Sequence, residues 1–219
     1  MIKINCLNTK TSKTFPEGTT LMDMVPEFEF EKPYPILCAK VNNVCQGLKY
    51  RAFNSRQVEF LDYTSYAGRS VYCNSLCFLL CKAAKDIFPD CRVVLRRPIS
   101  KGYYCRMDIP VSEEQVAAVR ERMRRIVECD IPFKRVECHT AEAIEIFGRM
   151  GRTDKVRLLE TYGRLYTSYY ELDGYVDSYY NGLVPSTGYI GLFEVEKYDD
   201  GVLLRIPNKV RPTELEDKV

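Results

Sequence analysis

The sequence predicts an α+β fold, and three observations support that prediction. Short stretches alternate apolar and polar residues, as half-buried strands do, and longer stretches carry apolar residues at helical spacing. Turns rich in Gly, Pro and Asn separate these stretches. The chain has 219 residues, of which 46% are hydrophobic and 28% charged, as in ordinary globular domains. We expect one large domain or two small ones from this length.

The first 63 residues predict a small β-grasp unit from the order of their elements. Ile2, Ile4 and Cys6 alternate with polar neighbours, as in a strand with one buried face. Thr20 ends a turn and is expected to cap a short helix, and Asn42 begins the turn of a hairpin. The predicted elements are a strand over 2–6, a second strand after a polar return at 11–14, a helix over 21–25 and strands over 36–41 and 58–61.

A second region begins after a linker predicted at 64–70. Residues 71–88 are predominantly apolar and predict one long helix that ends at Pro89. Ser112 and Gln115 have the spacing of a capping box, which begins another helix. The other predicted elements are strands over 92–96, 103–107, 133–138, 165–172, 175–179, 189–195 and 202–206, and helices over 112–129, 140–150 and 153–162.

The counts of ionisable residues exclude several kinds of site. Because the chain has ten cysteines but a single histidine, His139, one copy cannot build a metal site that needs two or three imidazoles. Lys plus Arg is 32 and Asp plus Glu is 30, so the overall charge does not indicate a nucleic-acid or membrane partner. No signal peptide, no membrane span and no P-loop is recognisable. We expect a cytoplasmic protein with mostly reduced cysteines.

Cys73, Cys77 and Cys81 recur at a spacing of four, which places three thiols on one face of the long helix. Three thiols on one helix face could be ligands of a metal ion. Zinc ligands, however, usually come in pairs two to four residues apart with further donors elsewhere, and the chain has no second compact cysteine pair. A thiol-lined face packed in the core is therefore favoured.

Two other features allow both a structural and a functional interpretation. His139 directly precedes a predicted helix and has only Cys138 beside it, so we expect a surface or helix-terminus residue rather than a catalytic acid or base. Seven tyrosines lie from Tyr162 to Tyr180, several at strand spacing. Aromatic packing with bonded hydroxyls is favoured over a hydroxyl-lined pocket.

Two clusters of basic residues are candidate anion sites. The first cluster, at 82–106, has seven basic and two acidic residues, and Arg92 and Arg96 are its predicted anion-binding residues. With neighbouring tyrosines it could hold RNA or phosphate by charge and stacking, and the alternative is a solvated surface. The second cluster, at 120–125, is interleaved with glutamates, so an ion-paired helix face is an equal alternative there.

Several segments together resemble the N-terminal part of threonyl-tRNA synthetases. The TGS domain is matched at 14–21, 39–42 and 58–61. The editing domain, also called the second additional domain, is matched at 87–90, 98–104, 176–177 and 184–188. The resemblance covers residues 1–206. It implies a TGS β-grasp domain over 1–63, a linker over 64–70, a two-layer α/β editing-like domain over 71–206 and a tail or linker to a further C-terminal domain over 207–219.

The same resemblance implies that the editing chemistry has been lost. The family's His-x-x-x-His pair on the long helix falls on Asn74 and Phe78, and its later Cys-x-x-x-His pair falls on Tyr179 and Leu183. Phenylalanine and leucine neither bind a cation nor transfer a proton. The cysteine stripe is one residue out of register and does not restore the pair. We therefore predict no catalytic residue, no metal ligand and no cofactor in this segment.

Modules of this kind also occur ahead of a uridine-kinase-like domain in some bacterial nucleoside kinases, and a degenerate module ending near residue 206 resembles that arrangement. The resemblance then implies a non-catalytic regulatory or ligand-binding region. Its partner would be a C-terminal kinase domain in the same chain, which would hold the ATP and Mg²⁺. A nucleotide or tRNA is a candidate ligand, no membrane partner is expected, and the oligomeric state is left open.

A cleft without its metal ligands can still bind a small molecule. The residues predicted to line it are Asn74 and Tyr179, as hydrogen-bonding groups, and Arg97, Lys101 and Tyr103, as anion or stacking contacts. Two alternative functions are a deacylase that works without the metal, through Cys73 or Cys77, and a tRNA- or RNA-binding module that uses the first basic cluster.

Overall fold

The structure is a computed structural model that describes residues 1–31, 34–99, 102–179 and 182–216, apart from the side chains of residues 95–97. The fold is mixed α/β with several sheets. Its contacts divide the chain into a larger unit, Met1–Pro132 with Asn181–Val219, and a smaller unit, Phe133–Tyr180. None of the described helices has the length and apolar character needed to span a membrane.

The N-terminal part of the larger unit is built on a mostly antiparallel sheet. Its elements are β1 (Ile2–Cys6), β2 (Thr11–Phe15), β3 (Thr19–Thr20), α1 (Leu21–Met24), β4 (Ile36–Val41), β5 (Val44–Gly47), β6 (Arg51–Ala52) and β7 (Arg56–Asp62). The strand order is β2-β1-β7-β4-β5, with β1 and β7 parallel. Strand β3 pairs with β6. The predicted buried face of β1 is confirmed, because Ile2, Ile4 and Cys6 all lie in the core.

Local signals in this part are confirmed at two turns and wrong at a third. Thr20 caps α1, its Oγ1 accepting a hydrogen bond from the Asp23 amide at 3.2 Å. Asn42 and Asn43 form the predicted turn with φ of 47° and 66°, a conformation that asparagine tolerates. The polar stretch 11–14 is not a return but part of β2 itself. β2 is an edge strand that is held by backbone pairing with β1, so its polar side chains stay exposed and only Phe15 is buried.

The long apolar helix, α2 (Tyr66–Ile87), begins earlier than predicted, at Tyr66 rather than Val71. Ser65 is its N-cap, and the Ser65 Oγ accepts a hydrogen bond from the Gly68 amide at 3.0 Å. Part of the predicted linker is therefore helical, while the division of the chain into TGS and editing-like domains stays a prediction. From Val71 to Ala84 only the residue at position 74 is not buried, so α2 is a core helix rather than an amphipathic one.

The remaining elements are β8 (Val93–Ile99), β9 (Gly102–Met107), α3 (Glu113–Glu128), β10 (Lys134–His139), α4 (Thr140–Arg149), α5 (Thr153–Tyr162), β11 (Tyr166–Leu172), β12 (Tyr175–Asp177), β13 (Glu194–Tyr198) and β14 (Gly201–Arg205). In the larger unit, strands in the order β13-β14-β9-β8 form an antiparallel sheet. Helix α3 packs against α2 and β13. Its predicted capping box is confirmed, with both hydrogen bonds between Ser112 and Gln115 present.

The strand predicted over 189–195 is wrong. The described chain forms a 3₁₀ turn at Thr187–Tyr189, and the strand begins only at Glu194. Thr187 explains the difference, because its buried hydroxyl donates to the Ile126 carbonyl at 2.7 Å and accepts from the Ile131 amide at 2.8 Å. These bonds tie the segment to the end of α3 instead of to a neighbouring strand.

The smaller unit packs α4 and α5 with an antiparallel sheet in the order β10-β11-β12. Its core contains Ala143 and Phe147 of α4 and Tyr169 of β11. Strands β11 and β12 are joined by Asp173 and Gly174, both at positive φ, which is the usual two-residue hairpin turn. The last predicted strand of this unit is shorter than expected, since β12 ends at Asp177 rather than at residue 179.

Candidate functional site

Two of the four positions that the resemblance assigns to metal ligands lie on α2, and a third is anchored to that helix. Asn74 is half-buried, whereas Phe78 one turn later is 0% exposed. Leu183 is 4% exposed, and the amide of the next residue, Val184, donates to Ser75 Oγ at 2.9 Å. Phe78 and Leu183 are therefore part of the hydrophobic core.

The residues at these positions do not fit a metal ion. Metal sites in proteins are built from Cys, His, Asp or Glu side chains with defined geometry. Here the four positions hold asparagine, phenylalanine, tyrosine and leucine. Within the described ranges, no three metal-ligating side chains form a group that could hold a cation. We assign no metal-dependent step to this site.

The cysteine stripe of α2 is buried, as predicted. Cys73, Cys77 and Cys81 are 3%, 5% and 8% exposed. Burial raises the pKa of Cys73 to about 11 and the pKa of Cys77 well above its ordinary value. Because the thiolate and not the thiol is the nucleophile, neither cysteine is activated at neutral pH.

Tyr103, a predicted ligand residue, reaches the first half of α2. Its hydroxyl lies near the thiol of Cys73, the residue that precedes Asn74, and lowers the pKa of that thiol against the larger, raising effect of burial. Arg69 and Tyr63 adjoin the same thiol. The Nη1 atom of Arg69 is buried and has no hydrogen-bond partner among the described residues. The structure therefore places Tyr103 beside Cys73, and the predicted contact of Tyr103 with a ligand held by Asn74 stays a prediction.

The other predicted ligand residues lie in different parts of the chain or outside the described residues. Tyr179 belongs to the smaller unit, whereas Asn74 and Tyr103 belong to the larger one. Arg92 of the first basic cluster is exposed and directly precedes β8. The side chains of Arg96 and Arg97 and the whole of Lys101 lie outside the described residues. Their roles stay predictions.

The second basic cluster forms an ion-paired helix face. Arg120 and Arg124 each contact Glu194 at 3.2 Å, and Arg122 contacts Asp86 at 2.8 Å. The same Asp86 also pairs with a lysine of the first basic cluster. Ion pairs within the protein therefore partly neutralise the basic residues that the sequence offered as anion-binding groups.

A groove of about 370 Å³ lies within the smaller unit. Tyr179 lines it, together with Arg135 and Glu137 of β10, Tyr166 of β11 and Arg164 of the preceding loop. Hydroxyl groups of β11 and two leucines of α5 complete its wall. A cavity of this size with convergent polar groups is in the range of small-molecule sites.

His139 lies at the rim of the same sheet. It is exposed and is the N-cap residue of α4, which confirms a surface position at a helix terminus. Its imidazole ring lies 4.5 Å from the Tyr166 ring, measured between centroids. The histidine therefore supports an aromatic surface next to the groove.

A buried ion cluster in the smaller unit was missed by sequence reasoning. Asp177 is 6% exposed, and it pairs with Arg152 at 3.2 Å and Lys155 at 3.1 Å. Lys155 Nζ also donates to Ser178 Oγ at 3.0 Å. In the sequence, Asp177 appeared only in the match at 176–177, within the strand predicted over 175–179, and nothing local indicated which cations would contact it.

One thiol in the larger unit has an unusual environment. Cys45 of β5 lies opposite Lys40 of β4 in the strand register. A hydrogen bond with the Cys38 thiol, assisted by the Lys40 charge and opposed by partial burial, lowers the pKa of Cys45 to about 7. Cys45 is therefore the thiol in this sheet that we expect to react fastest at neutral pH.

Alkylation of Cys45 by iodoacetamide should rise with pH through a midpoint of about 7. Cys38→Ala and Lys40→Gln should each move that midpoint upward, because each removes an interaction that favours the thiolate. Peptide mass spectrometry measures the rate, with the exposed Cys129 as internal reference. An unchanged midpoint in both variants would contradict this assignment.

Comparison with known proteins shows similarity to threonine–tRNA ligases. No family model matches the chain. The ligase of Desulforamulus reducens is 30% identical over 191 residues, covering 86% of this chain and 30% of the ligase. The ligases of Syntrophomonas wolfei and Carboxydothermus hydrogenoformans are each 26% identical, over 198 and 186 residues, covering 89% and 84% of this chain and 31% and 29% of the ligases.

The chain thus spans about 30% of the length of the curated relatives it matches. The matched parts are the N-terminal regions of those ligases, and they support a threonyl-tRNA-synthetase-like domain in this chain.

Proposed function

We propose that this chain is a non-catalytic, ligand-binding region on a threonyl-tRNA-synthetase-like scaffold, and that it regulates a uridine- or nucleoside-kinase-like domain in the same protein. The observation that carries the proposal is the burial of Phe78 and Leu183 at two of the four metal-ligand positions. Side chains in these positions stabilise a core and leave no group for binding a metal ion or moving a proton.

Domain assignment forms part of the proposal. The strand order β2-β1-β7-β4-β5, with β1 and β7 parallel, supports a TGS β-grasp domain at the N-terminus. The sheet of β8, β9, β13 and β14 behind α2 supports the editing-like domain that follows.

A metal-independent deacylase is the competing function. It would use Cys73 or Cys77 as the nucleophile, and burial raises the pKa of both thiols. An RNA-binding module is a further alternative, which would use the first basic cluster. Hydrolysis would favour the deacylase, and salt-sensitive tRNA binding would favour the RNA-binding module.

A deacylation assay tests the loss of chemistry. Incubated with threonine-specific tRNA that is mischarged with serine, the purified chain should release serine no faster than the uncatalysed reaction. An active editing synthetase, assayed in parallel, controls for the substrate. Hydrolysis above background that disappears in Asn74→Ala or Tyr179→Phe would contradict the proposal, and hydrolysis that disappears in Cys73→Ser would establish the deacylase.

The kinase context has its own test. The P-loop pattern Gly-x-x-x-x-Gly-Lys-Ser/Thr, whose backbone and lysine hold nucleotide phosphates and whose hydroxyl contacts Mg²⁺, should be encoded downstream in the same reading frame. A reading frame that continues into a class II synthetase domain instead would reject the kinase context and leave the loss of editing chemistry standing.

A further inference from the structure

The groove of the smaller unit lies beside the part of β11 that pairs with no described strand on the β12 side. Strand β12 pairs only with residues 170–172 of β11, so no described strand covers Tyr166–Tyr169 on that side. The Leu165 carbonyl faces β10, where it accepts a hydrogen bond from the Thr140 amide at 2.9 Å. Because backbone groups alternate sides along a strand, the amides of Tyr166 and Ser168 face the open edge.

The groove beside this edge is lined by positively charged side chains. Arg135 is held in place by Glu137 at 3.3 Å and by the Ser168 hydroxyl at 3.0 Å. Arg164 has no carboxylate within ion-pair distance among the described residues, and its guanidinium lies 5.8 Å from the Tyr162 ring centroid. Two arginines against one glutamate leave the groove with a net charge of about +1, which favours a small anion.

Exposed aromatic surface adjoins the charged edge. Tyr162 and Tyr166 are 54% and 53% exposed, and Leu165 between them is 70% exposed. These three exposed side chains on one short segment provide apolar surface for contact with a ligand. Tyr166, supported from one side by the His139 ring, is a suitable platform for stacking a planar ring.

We propose that this groove binds a nucleoside 5′-monophosphate. The phosphate would accept hydrogen bonds from Arg164 and from backbone amides at the β11 edge, while the base would stack on Tyr166. A net charge of about +1 suits a monophosphate better than a polyphosphate. This inference deepens the ligand-binding part of the proposed function, but it depends on neither the lost metal ligands nor the kinase context.

Isothermal titration with AMP and UMP tests the groove. The chain should bind a monophosphate with saturation, and adenosine or inorganic phosphate alone should bind at least about tenfold more weakly, because each provides one of the two contacts. Arg164→Gln should weaken binding about tenfold, the effect of losing one charge-assisted hydrogen bond. Tyr166→Ala should weaken binding to a similar extent through lost stacking.

Matched variants separate binding from folding. Tyr166→Phe keeps the ring and should bind like the unmodified chain, and Arg149→Gln removes an exposed arginine of α4 that does not line the groove. Circular dichroism checks that each variant is folded. Absence of saturable binding to both nucleotides, or equal losses in Arg164→Gln and Arg149→Gln, would overturn the proposal.

Titration with a single-stranded tetranucleotide tests whether the groove binds RNA instead. If it binds while both monophosphates do not, the groove is an RNA surface and the proposal is overturned. A failed titration leaves the deacylation result untouched, and hydrolysis in the deacylation assay leaves the titration untouched, so the two proposals fail independently.

Discussion

Replacing Phe78 with alanine is expected to reduce the free energy of unfolding by about 3–5 kcal/mol. The side chain is 0% exposed on a helix that is buried almost all round, so the substitution removes apolar contacts and leaves a cavity that the neighbours cannot fill. Urea unfolding followed by circular dichroism measures the loss. This loss would show that Phe78 contributes to stability at a position where the family that the chain resembles has a metal ligand.

Two further variants test this prediction. Phe53→Ala removes the same side chain at a site that is 60% exposed, and its stability should change by no more than about 0.5 kcal/mol. Phe78→His restores the family's residue type, but it should also destabilise the protein because it buries an imidazole without a partner. A stable Phe78→His variant that bound zinc would show that the metal site had survived in latent form.

Asp177→Asn is expected to destabilise the smaller unit by about 3 kcal/mol. The substitution keeps the shape of the side chain but removes the charge that Arg152 and Lys155 share, which leaves two cations in a largely buried place. Each cation retains 19% exposure, so the cost lies at the lower end of the range for breaking a buried ion pair.

Amide hydrogen exchange localises this effect. Protection in residues 133–180 should fall in Asp177→Asn, while the core of α2 stays protected. Asp154→Asn is the matched control, because Asp154 also pairs with Arg152 but is 56% exposed, and it should change protection far less. Equal loss of protection in both variants would mean that the ion cluster has no special role.

Elements with strong local signals were predictable. Thr20 and the pair Ser112 and Gln115 cap their helices as expected, because a cap hydrogen bond joins residues only two or three positions apart. Helix α5 has the predicted bounds, and Gly163 ends it in the left-handed conformation. In each case the chemistry that determines the structure lies within one turn of chain.

Predictions failed where distant contacts compete with local preference. Residues 189–195 have the apolar content of a strand, but Thr187 bonds to the end of α3 and diverts the chain into a turn. Residues 11–14 look too polar for a strand, but pairing with β1 supplies their backbone hydrogen bonds. Neither partner is visible in a window of local sequence.

The sequence alone determined which residue types are present: one histidine per chain cannot supply the ligands of a histidine-rich metal site, and two of the four positions that the resemblance assigns to metal ligands are apolar. Only the tertiary structure decided that Phe78 and Leu183 are core residues and that Asp177 pairs with two cations. Only the structure shows that no described strand pairs with Tyr166–Tyr169 on the β12 side. The physical reason is the range of the interactions. Residue type is a local property, whereas burial, ion pairing and open strand edges depend on packing between segments far apart in the chain.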